Sequence, residues 1–250
     1  MAFTYGTIWG NYGDEKVESS TQNQPLGTRM ALPDGRIFYY AKNSSAAITT
    51  AGMIVDGIAA VAAHDMDVAA TATSIGSNTV TSGTSLTTTK DQYKDGYLVF
   101  NDGPGEGEVY RVIGNTKVAG ATGLVVTLEE KIRTTLTTAS LFGLVYNPYT
   151  DVKIIDGNGT MTTGALGVTQ IPVTASYYCW IQTFGLSSVA IGAVVGIVGD
   201  GLQISQASGE DGMAELYDLS GEDDIQSIGT AIGIPSASPD KQLCLLTIRA

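Results

Sequence analysis

The segment Gly103-Pro104-Gly105-Glu106-Gly107 has the glycine density of a loop that binds phosphate. Such a loop also needs a lysine and the N-terminus of a following helix. The segment has no lysine, and Glu106 and Glu108 would repel a phosphate group. We therefore interpret it as the turn of a β-hairpin, between strand-like runs at residues 97–100 and 108–113.

A second candidate, Asp156-Gly157-Asn158-Gly159-Thr160, places side-chain oxygens at alternate positions, as a calcium loop does. The bidentate glutamate of such a loop would fall at Gly167, which has no side chain to offer. An Asx turn is the favoured interpretation, and a bound cation is the alternative.

His64 is the single histidine, and Asp65 and Asp67 lie beside it. The chain has no Gly-x-Ser-x-Gly motif with which it would form a hydrolytic triad. A zinc site with Cys179 and Cys244 is disfavoured because these are far from His64 in sequence and lack paired spacing. We expect no metal and no cofactor.

The carboxylate pairs Glu129-Glu130 and Asp223-Asp224 consist of adjacent residues, which point to opposite faces of a strand and would not share a proton. The sequence therefore predicts no catalytic residues and no enzymatic activity. A polysaccharide hydrolase remains an alternative, because a β-scaffold needs only two acidic residues brought together by the fold.

The composition restricts the class of partner. Charged residues make up 15% of the 250 residues, the formal net charge is −12, and no basic residue lies between Lys153 and Lys241. Such a surface repels phosphate and anionic lipid, so we expect neither nucleic acid nor membrane as a partner. A solvated acidic face is favoured over a docking site for a basic partner.

Several features predict a protein that is made in a cytoplasm. Cys179 and Cys244 lie in apolar, strand-like runs, which is typical of buried free thiols. The N-terminus has neither the basic start nor the apolar core of a signal peptide. The apolar stretch 189–198 is interrupted by Gly192 and Gly196 and is too short to cross a bilayer.

Short apolar runs separated by Gly, Ser and Asp predict a mainly β fold, built from short-stranded sandwich or barrel modules with an extended N-terminal arm. We expect an arm and first hairpin over residues 1–50, a β-module over 51–150 and a C-terminal β-module over 151–250. The predicted strands are 97–100, 108–113, 124–128, 141–146, 177–184, 189–198, 202–204 and 243–248.

Three segments carry separate predictions. Leu32-Pro33-Asp34-Gly35-Arg36 predicts a tight turn that leads into an aromatic strand. Residues 51–72 are Ala-rich around His64, and we favour extended structure over helix there. Within the last hundred residues, 213–228 are the one place where the pattern allows a short helix.

Short turn and strand motifs recur along the chain. They are Gly10-Asn11-Tyr12-Gly13-Asp14, Pro25-Leu26-Gly27-Thr28-Arg29, Leu32-Pro33-Asp34-Gly35-Arg36-Ile37-Phe38-Tyr39-Tyr40-Ala41, Asp95-Gly96-Tyr97-Leu98, Gly105-Glu106-Gly107-Glu108-Val109-Tyr110 and Tyr178-Cys179-Trp180-Ile181-Gln182-Thr183-Phe184-Gly185. These motifs resemble those of virion-associated proteins of tailed phages that infect aquatic bacteria. The C-terminal part, with Ile232-Gly233-Ile234 and a strand ending at Ile248, resembles lambda-type head decoration (cement) proteins.

The resemblance implies a structural virion protein on the outer surface of a mature capsid. Proteins of that class form trimers over local three-fold positions and bridge major capsid subunits. The expected partners are thus the major capsid protein and further copies of the chain. A protein that binds only the mature lattice stabilises it by mass action, without catalysis.

Aromatic residues near the N-terminus are the predicted capsid contacts, because buried aromatics dominate interface energies. The alternative is that they belong to the protein's own core. The candidates are Tyr5, Trp9, Tyr12, Phe38, Tyr39 and Tyr40.

A second hypothesis is a head fibre or a tail-associated, glycan-binding protein for host recognition. Thr- and Gly-rich β-structure suits this role too, and aromatic loop residues stack on sugars. Long fibres usually show a repeated period, and the sequence contains none.

Overall fold

A computed structural model describes residues 6–157, 161–192, 198–217, 226–233 and 240–249. The described chain is nearly all strand, which confirms the mainly β fold. It divides into unit 1, residues 1–58 with 148–250, and unit 2, residues 59–147. The predicted division into three successive segments differs from this, since the first and third segments share one unit.

Among its described residues, unit 1 contains one short 3-10 helix, Asp14–Lys16. Its strands are β1 Thr7–Trp9, β2 Arg29–Ala31, β3 Ile37–Lys42, β4 Ile54–Asp56, β13 Lys153–Ile154, β14 Gly167–Thr169, β15 Tyr178–Ile191, β16 Gly201–Ile204, β17 Ala214–Leu216, β18 Ser227–Ala231 and β19 Asp240–Thr247.

Unit 2 contains one short helix, α1 Ala62–Asp65. Its strands are β5 Val68–Ala69, β6 Thr79–Thr81, β7 Leu86–Thr88, β8 Tyr97–Asp102, β9 Val109–Asn115, β10 Val118–Ala121, β11 Val125–Leu128 and β12 Leu141–Val145.

The first part of unit 1 is a sheet in the order β1–β2–β3–β15. β1 runs parallel to β2, whereas β2, β3 and β15 are antiparallel neighbours. β14 pairs with the other edge of β15 and leads on to β4 and β13. The turn between β2 and β3 is the one that Pro33-Asp34-Gly35 predicts, since the Gly35 amide donates to the Leu32 carbonyl at 3.0 Å.

The second half of β15 belongs to a closed barrel. β15 pairs with β19, β19 with β18, β18 with β16 and β16 with β17. The ring closes where Ile191 of β15 pairs with Ala214 of β17. A shift of register between Gln182 and Phe184 separates the two halves of β15. The barrel interior is apolar and includes Val189 and Leu246.

Unit 2 contains a six-stranded sheet in the order β5–β12–β8–β9–β11–β6. An antiparallel bridge between Ala70 and Ser82 joins its two ends, so this sheet also closes into a barrel. The β8–β9 pair is the predicted hairpin. Alternation places Leu98 and Phe100 in the core and Tyr97 outside. β7 and β10 form a separate two-stranded sheet.

The predicted N-terminal arm is wrong as a separable segment. Leu26 and Met30 are buried, at 7% and 1% exposure, and β2 is an interior strand of the sheet. Ser19 also forms a bridge with Tyr178 of β15. β2 pairs with β3, and β3 pairs with β15, which lies far away in the sequence, so this part of the chain belongs to the sheet of unit 1.

Other segments differ in detail from their predictions. The strands predicted at 177–184 and 189–198 meet in the single strand β15, and residues 193–197 lie outside the described residues. Residues 51–72 contain both kinds of structure, with strands at Ile54–Asp56 and Val68–Ala69 and the four-residue helix α1 between them. Of the predicted helix at 213–228, residues 214–216 are strand, and 218–225 lie outside the described residues.

Candidate interaction surfaces

Trp9 is the most exposed large apolar side chain in the described chain, at 79%. Its neighbour Ile8 points to the opposite face of β1 and packs against Met30, Leu32 and Phe38. Buried contacts on one face of β1 therefore hold the strand in place, and the indole of Trp9 lies on the other face in solvent.

Tyr12 is also exposed, at 64%, in the turn before the 3-10 helix. Gly13 has φ +107°, a conformation that glycine adopts readily. The buried carboxylate of Glu15 accepts a hydrogen bond of 2.7 Å from the Gly13 amide and pairs with Arg36 at 3.4 Å. These contacts fix the backbone beside Tyr12 while its ring stays accessible.

Three of the predicted contact residues belong to the protein's own core. Phe38, Tyr39 and Tyr40 are at most 6% exposed. Tyr39 stacks on Tyr149 with centroids 5.3 Å apart, and Tyr40 packs edge-on against Trp180 at 4.9 Å. As surface contacts these three predictions were wrong, because β3 is an interior strand covered on both faces. Tyr5 lies outside the described residues.

A third exposed apolar region, on the outer wall of the barrel in unit 1, was missed by the sequence reasoning. Leu186 of β15 pairs directly with Leu245 of β19, and the two are 50% and 38% exposed. Leu245 pairs in turn with Thr230 of β18. We call this region the leucine face; it comprises Leu186, Thr230, Ile232, Leu243 and Leu245.

The leucine face had a detectable signal in the sequence. In Lys241-Gln242-Leu243-Cys244-Leu245-Leu246, the residues of both alternating sets include leucines. Cys244 and Leu246 face the barrel core, so Leu243 and Leu245 point outward. An apolar residue on both faces of a strand predicts burial on both faces, but only one of them is covered within the described chain.

The outer wall of the barrel in unit 2 also carries exposed apolar residues, but charged residues lie among them. Tyr97 and Val109 are 37% and 52% exposed. Arg111, paired with Tyr97 across the strands, forms ion pairs with Asp95 at 3.1 Å and Glu129 at 3.5 Å. Charges thus interrupt the apolar area of this wall.

The single histidine is a buried structural group. His64 Nδ1 lies 2.5 Å from the hydroxyl of Tyr93, and the two rings pack edge-on. Burial lowers the pKa of His64 and raises that of Tyr93. Both effects favour the neutral forms of the pair.

The buried carboxylate of Asp56 and the half-buried carboxylates of Glu210 and Glu215 accept hydrogen bonds from neighbouring groups. Asp56 accepts hydrogen bonds from the amides of Gly57, Thr162 and Thr163 at 2.6 to 2.8 Å, and another from the Thr163 hydroxyl. Near β16 and β17, Ser205 donates to Glu210 at 2.6 Å, and Gln203 donates to Glu215 at 3.0 Å.

The candidate phosphate loop and the candidate calcium loop both lie at turns or loops of the fold. Residues 103–108 form the turn of the β8–β9 hairpin, with positive φ at Gly103, Gly105 and Gly107. In the candidate calcium loop, the Gly157 amide donates to Asp211 at 3.1 Å, and residues 158–160 lie outside the described residues. The described residues contain no group of three or more His, Cys, Asp or Glu side chains arranged to hold a metal ion.

The predicted state of the cysteines is confirmed, since Cys179 and Cys244 are both free and buried. Within the described ranges, no helix has both the length and the apolar character needed to cross a membrane.

Comparisons of the chain with protein-family models, curated proteins and solved structures give no match.

Proposed function

We propose that this chain is a structural protein of a tailed-phage virion, which binds the outer surface of the mature capsid and stabilises the shell as a homotrimer. In this proposal it works by adhesion, without turnover, and its partners are the major capsid protein and its own copies. It is made in the host cytoplasm and acts on the virion surface. The motif resemblances described above are the starting point of the proposal.

The exposure of Trp9, with Tyr12 nearby, supports the proposal most directly. Tryptophan and tyrosine are the residues most enriched among those that dominate binding energies. The partly buried Ile8 and the buried Glu15 restrict the backbone beside them, so less conformational entropy is lost when the rings are covered. Such a rigid aromatic site suits a contact with a fixed lattice.

A binding measurement with undecorated, expanded shells tests this proposal. Purified protein is added at increasing concentration, and the occupancy of the shells is read by sedimentation and gel densitometry. Replacing a central aromatic anchor costs about 2 kcal/mol or more. We therefore expect Trp9→Ala to bind at least ~10-fold more weakly than the intact chain. Equal occupancy of the two would show that Trp9 is not the contact.

Ile75→Ala is the matched control. Ile75 is a large apolar residue with 62% exposure, so its truncation also removes accessible apolar surface. It should leave shell occupancy unchanged. No binding of the intact chain to shells at any concentration would overturn the proposed function itself.

Host recognition by a head fibre or tail-associated protein is the second candidate, and the same exposed aromatic rings favour it because they can stack on sugars. Imaging of virions with labelled protein separates the two. Density at regular lattice positions supports shell binding, and density at one vertex or on the tail supports recognition.

A further inference from the structure

We propose that Asp102 and Gly103 form a site of spontaneous covalent modification, at which the folded chain converts Asp102 to isoaspartate. The reaction needs water and no further component. It goes beyond the proposed function, because it takes place on the isolated chain in the absence of any shell.

An aspartate followed directly by a glycine is the sequence that favours this reaction. The glycine amide nitrogen attacks the side-chain carboxyl carbon of the aspartate, and glycine hinders the approach least because it carries no side chain. The sequence does not distinguish among such pairs, so the surroundings that the fold gives each pair decide which one reacts. The pairs begin at Asp34, Asp56, Asp95, Asp102, Asp156, Asp200 and Asp211.

The reaction has two steps. In the first, a bond forms between the Gly103 nitrogen and the Asp102 carboxyl carbon, and the carboxyl hydroxyl leaves with the amide hydrogen as water. The product is a five-membered succinimide ring. In the second step, water adds to one of the two ring carbonyls. Opening at the side-chain carbonyl restores aspartate, and opening at the main-chain carbonyl gives isoaspartate, whose main chain runs through the former side chain.

Asp102 has the geometry that the first step needs. It is the last residue of β8, it is exposed, and Gly103 follows at the start of the hairpin turn. The Gly103 amide donates a hydrogen bond of 2.7 Å to Oδ1 of Asp102. This bond holds the attacking nitrogen beside the carboxyl group, and the exposure of Asp102 admits the water that opens the ring.

The turn itself requires glycine at position 103. Gly103 has φ +73°, and a Cβ atom there would collide with the carbonyl oxygen of Ala139. The fold therefore excludes a side chain that would hinder the attack.

Two of the other aspartates are buried, and their neighbours hold them in place. Asp95 is 7% exposed and pairs with Arg111 at 3.1 Å, and the Gly96 amide donates to the Tyr93 carbonyl at 2.9 Å. Asp56 is 1% exposed, and its carboxylate accepts four hydrogen bonds. These contacts fix both carboxyl groups, and burial excludes the water that opens the ring.

Three further pairs have an exposed aspartate, but the glycine amide is bonded to a different group. The Gly35 amide donates to the Leu32 carbonyl at 3.0 Å. The other two donations run from Gly157 to the Asp211 carboxylate at 3.1 Å and from Gly212 to the Ile155 carbonyl at 2.8 Å.

The remaining pair lies in the barrel of unit 1. Gly201, which follows Asp200, is paired with Thr230 of β18, and its carbonyl accepts from the Tyr217 amide at 2.9 Å. Among the described pairs, Asp102 thus combines an exposed carboxyl group with a direct bond from the amide of the next residue.

Isoaspartate adds one carbon atom to the main chain where β8 enters its turn. The turn is closed by hydrogen bonds from Gly107 to the Phe100 carbonyl at 2.9 Å and from Glu106 to the Gly103 carbonyl at 3.0 Å. We therefore expect the modification to alter the tip of the β8–β9 hairpin.

The test incubates the purified full chain at mildly acidic pH in water enriched in heavy oxygen. Each opening of the ring adds one heavy oxygen atom, whichever product forms. The chain is then digested with trypsin in ordinary water, and fragment ions locate the label and the isoaspartate. Asp95 and Asp102 lie in one tryptic peptide, residues 95–111, so their ratio does not depend on recovery. We expect at least ~10-fold more label at Asp102 than at Asp95.

The same incubation in guanidinium chloride measures the contribution of the fold. The unfolded chain frees both pairs from their neighbours, so Asp95 and Asp102 should then carry similar label. Equal label at the two positions in the folded protein overturns the proposal, and so does an absence of isoaspartate at position 102.

Asp102→Glu keeps the charge but lengthens the side chain by one carbon, so the attack would have to form a less favourable six-membered ring. We expect no label at that position. Asp34→Glu is the matched control, because it changes another exposed aspartate that precedes glycine, and it should leave the label at Asp102 unchanged. Label that persists at position 102 of Asp102→Glu would show that the oxygen enters by another route, against the proposal.

Discussion

The side chains of His64 and Tyr93 form a hydrogen bond inside unit 2, with 2.5 Å between Nδ1 and the phenolic oxygen. His64 is the last but one residue of α1, and Tyr93 is fully buried in the core of the barrel. The pair therefore connects the short helix to the barrel, and burial of the imidazole favours its neutral form.

This relationship predicts how stability varies with pH. Burial lowers the folded-state pKa of His64 below the usual value of 6.5, so the unfolded chain takes up the proton more readily. The stabilising contribution is complete above that usual value and is lost as pH falls towards the folded-state pKa. We expect the melting temperature to decrease between pH 7.5 and pH 5.5, where ordinary carboxylates remain ionised.

The matched variant is His64→Gln, which cannot take up the proton. It should melt lower than the intact chain at pH 7.5, because the contact with Tyr93 is altered, and its melting temperature should change less over the same interval. If both proteins lost the same number of degrees, His64 would not be responsible for the pH dependence.

A glycine on β12 tests how α1 packs. A Cβ atom placed on Gly143 would lie 1.8 Å from the carbonyl oxygen of Asp65, at the end of α1. Gly143→Ala must therefore displace the helix, and we expect it to lower the free energy of unfolding by about 1–3 kcal/mol. Urea denaturation measures the change.

Gly83→Ala is the control for this substitution. A Cβ on Gly83 meets its nearest atom at 3.5 Å, an ordinary contact, so the change should stay within about 0.5 kcal/mol. Equal stability of the two variants would mean that α1 does not cover Gly143.

The buried carboxylate of Asp56 offers a third prediction. Its two oxygens accept from three backbone amides and one hydroxyl, and an asparagine keeps only one of the accepting oxygens. Asp56→Asn should cost about 2–3 kcal/mol of stability, because at least one donor is left buried without an acceptor. Asp102→Asn, at an exposed carboxylate, should remain within about 0.5 kcal/mol. Chemical denaturation of both variants measures their free energies of unfolding, and similar midpoints of unfolding would contradict the prediction.

Two neighbouring strands of the N-terminal segment should respond differently to truncation of a side chain. Met30 is buried among Leu32 and Phe38, so Met30→Ala should cost about 2–5 kcal/mol. Trp9 is exposed, and Trp9→Ala should melt within a few degrees of the intact chain. Calorimetry of the isolated protein measures both. Strong destabilisation by Trp9→Ala would show that the indole is part of the core.

The two thiols should be unreactive while the protein is folded. Burial raises the pKa of Cys179 and of Cys244 to about 12, so very little of either is thiolate at pH 8. A colorimetric disulfide reagent should label neither in buffer and both in denaturant. Rapid labelling in buffer would mean that one of the strands opens readily.

Local sequence patterns were sufficient to predict the β8–β9 hairpin in unit 2. Alternating residues in two short runs and a glycine-rich connection specify β8 and β9 together, because their partners are neighbours in sequence. The same reasoning located β19 and the buried cysteines, since an apolar run around a thiol is typical of a core strand. These features depend on contacts between nearby residues.

The placement of the aromatic residues needed the tertiary structure. Trp9 and Phe38 both lie in short extended segments of similar composition, yet the first is exposed and the second fully buried. The difference arises because β3 pairs with β15, about 140 residues later in the chain, whereas β1 lies at the end of the sheet path. No local pattern contains that pairing.

The sequence by itself determined that the chain is rich in strands and turns, acidic, and supplied with apolar residues on alternating positions. Only the tertiary structure decided which strands close into barrels and which alternating set of leucines on β19 faces solvent. The physical reason is that alternation specifies the two faces of a strand, but the neighbours that cover one face come from distant parts of the chain. Trp9 and the leucine face are therefore properties of the fold, although each of their residues is visible in the sequence.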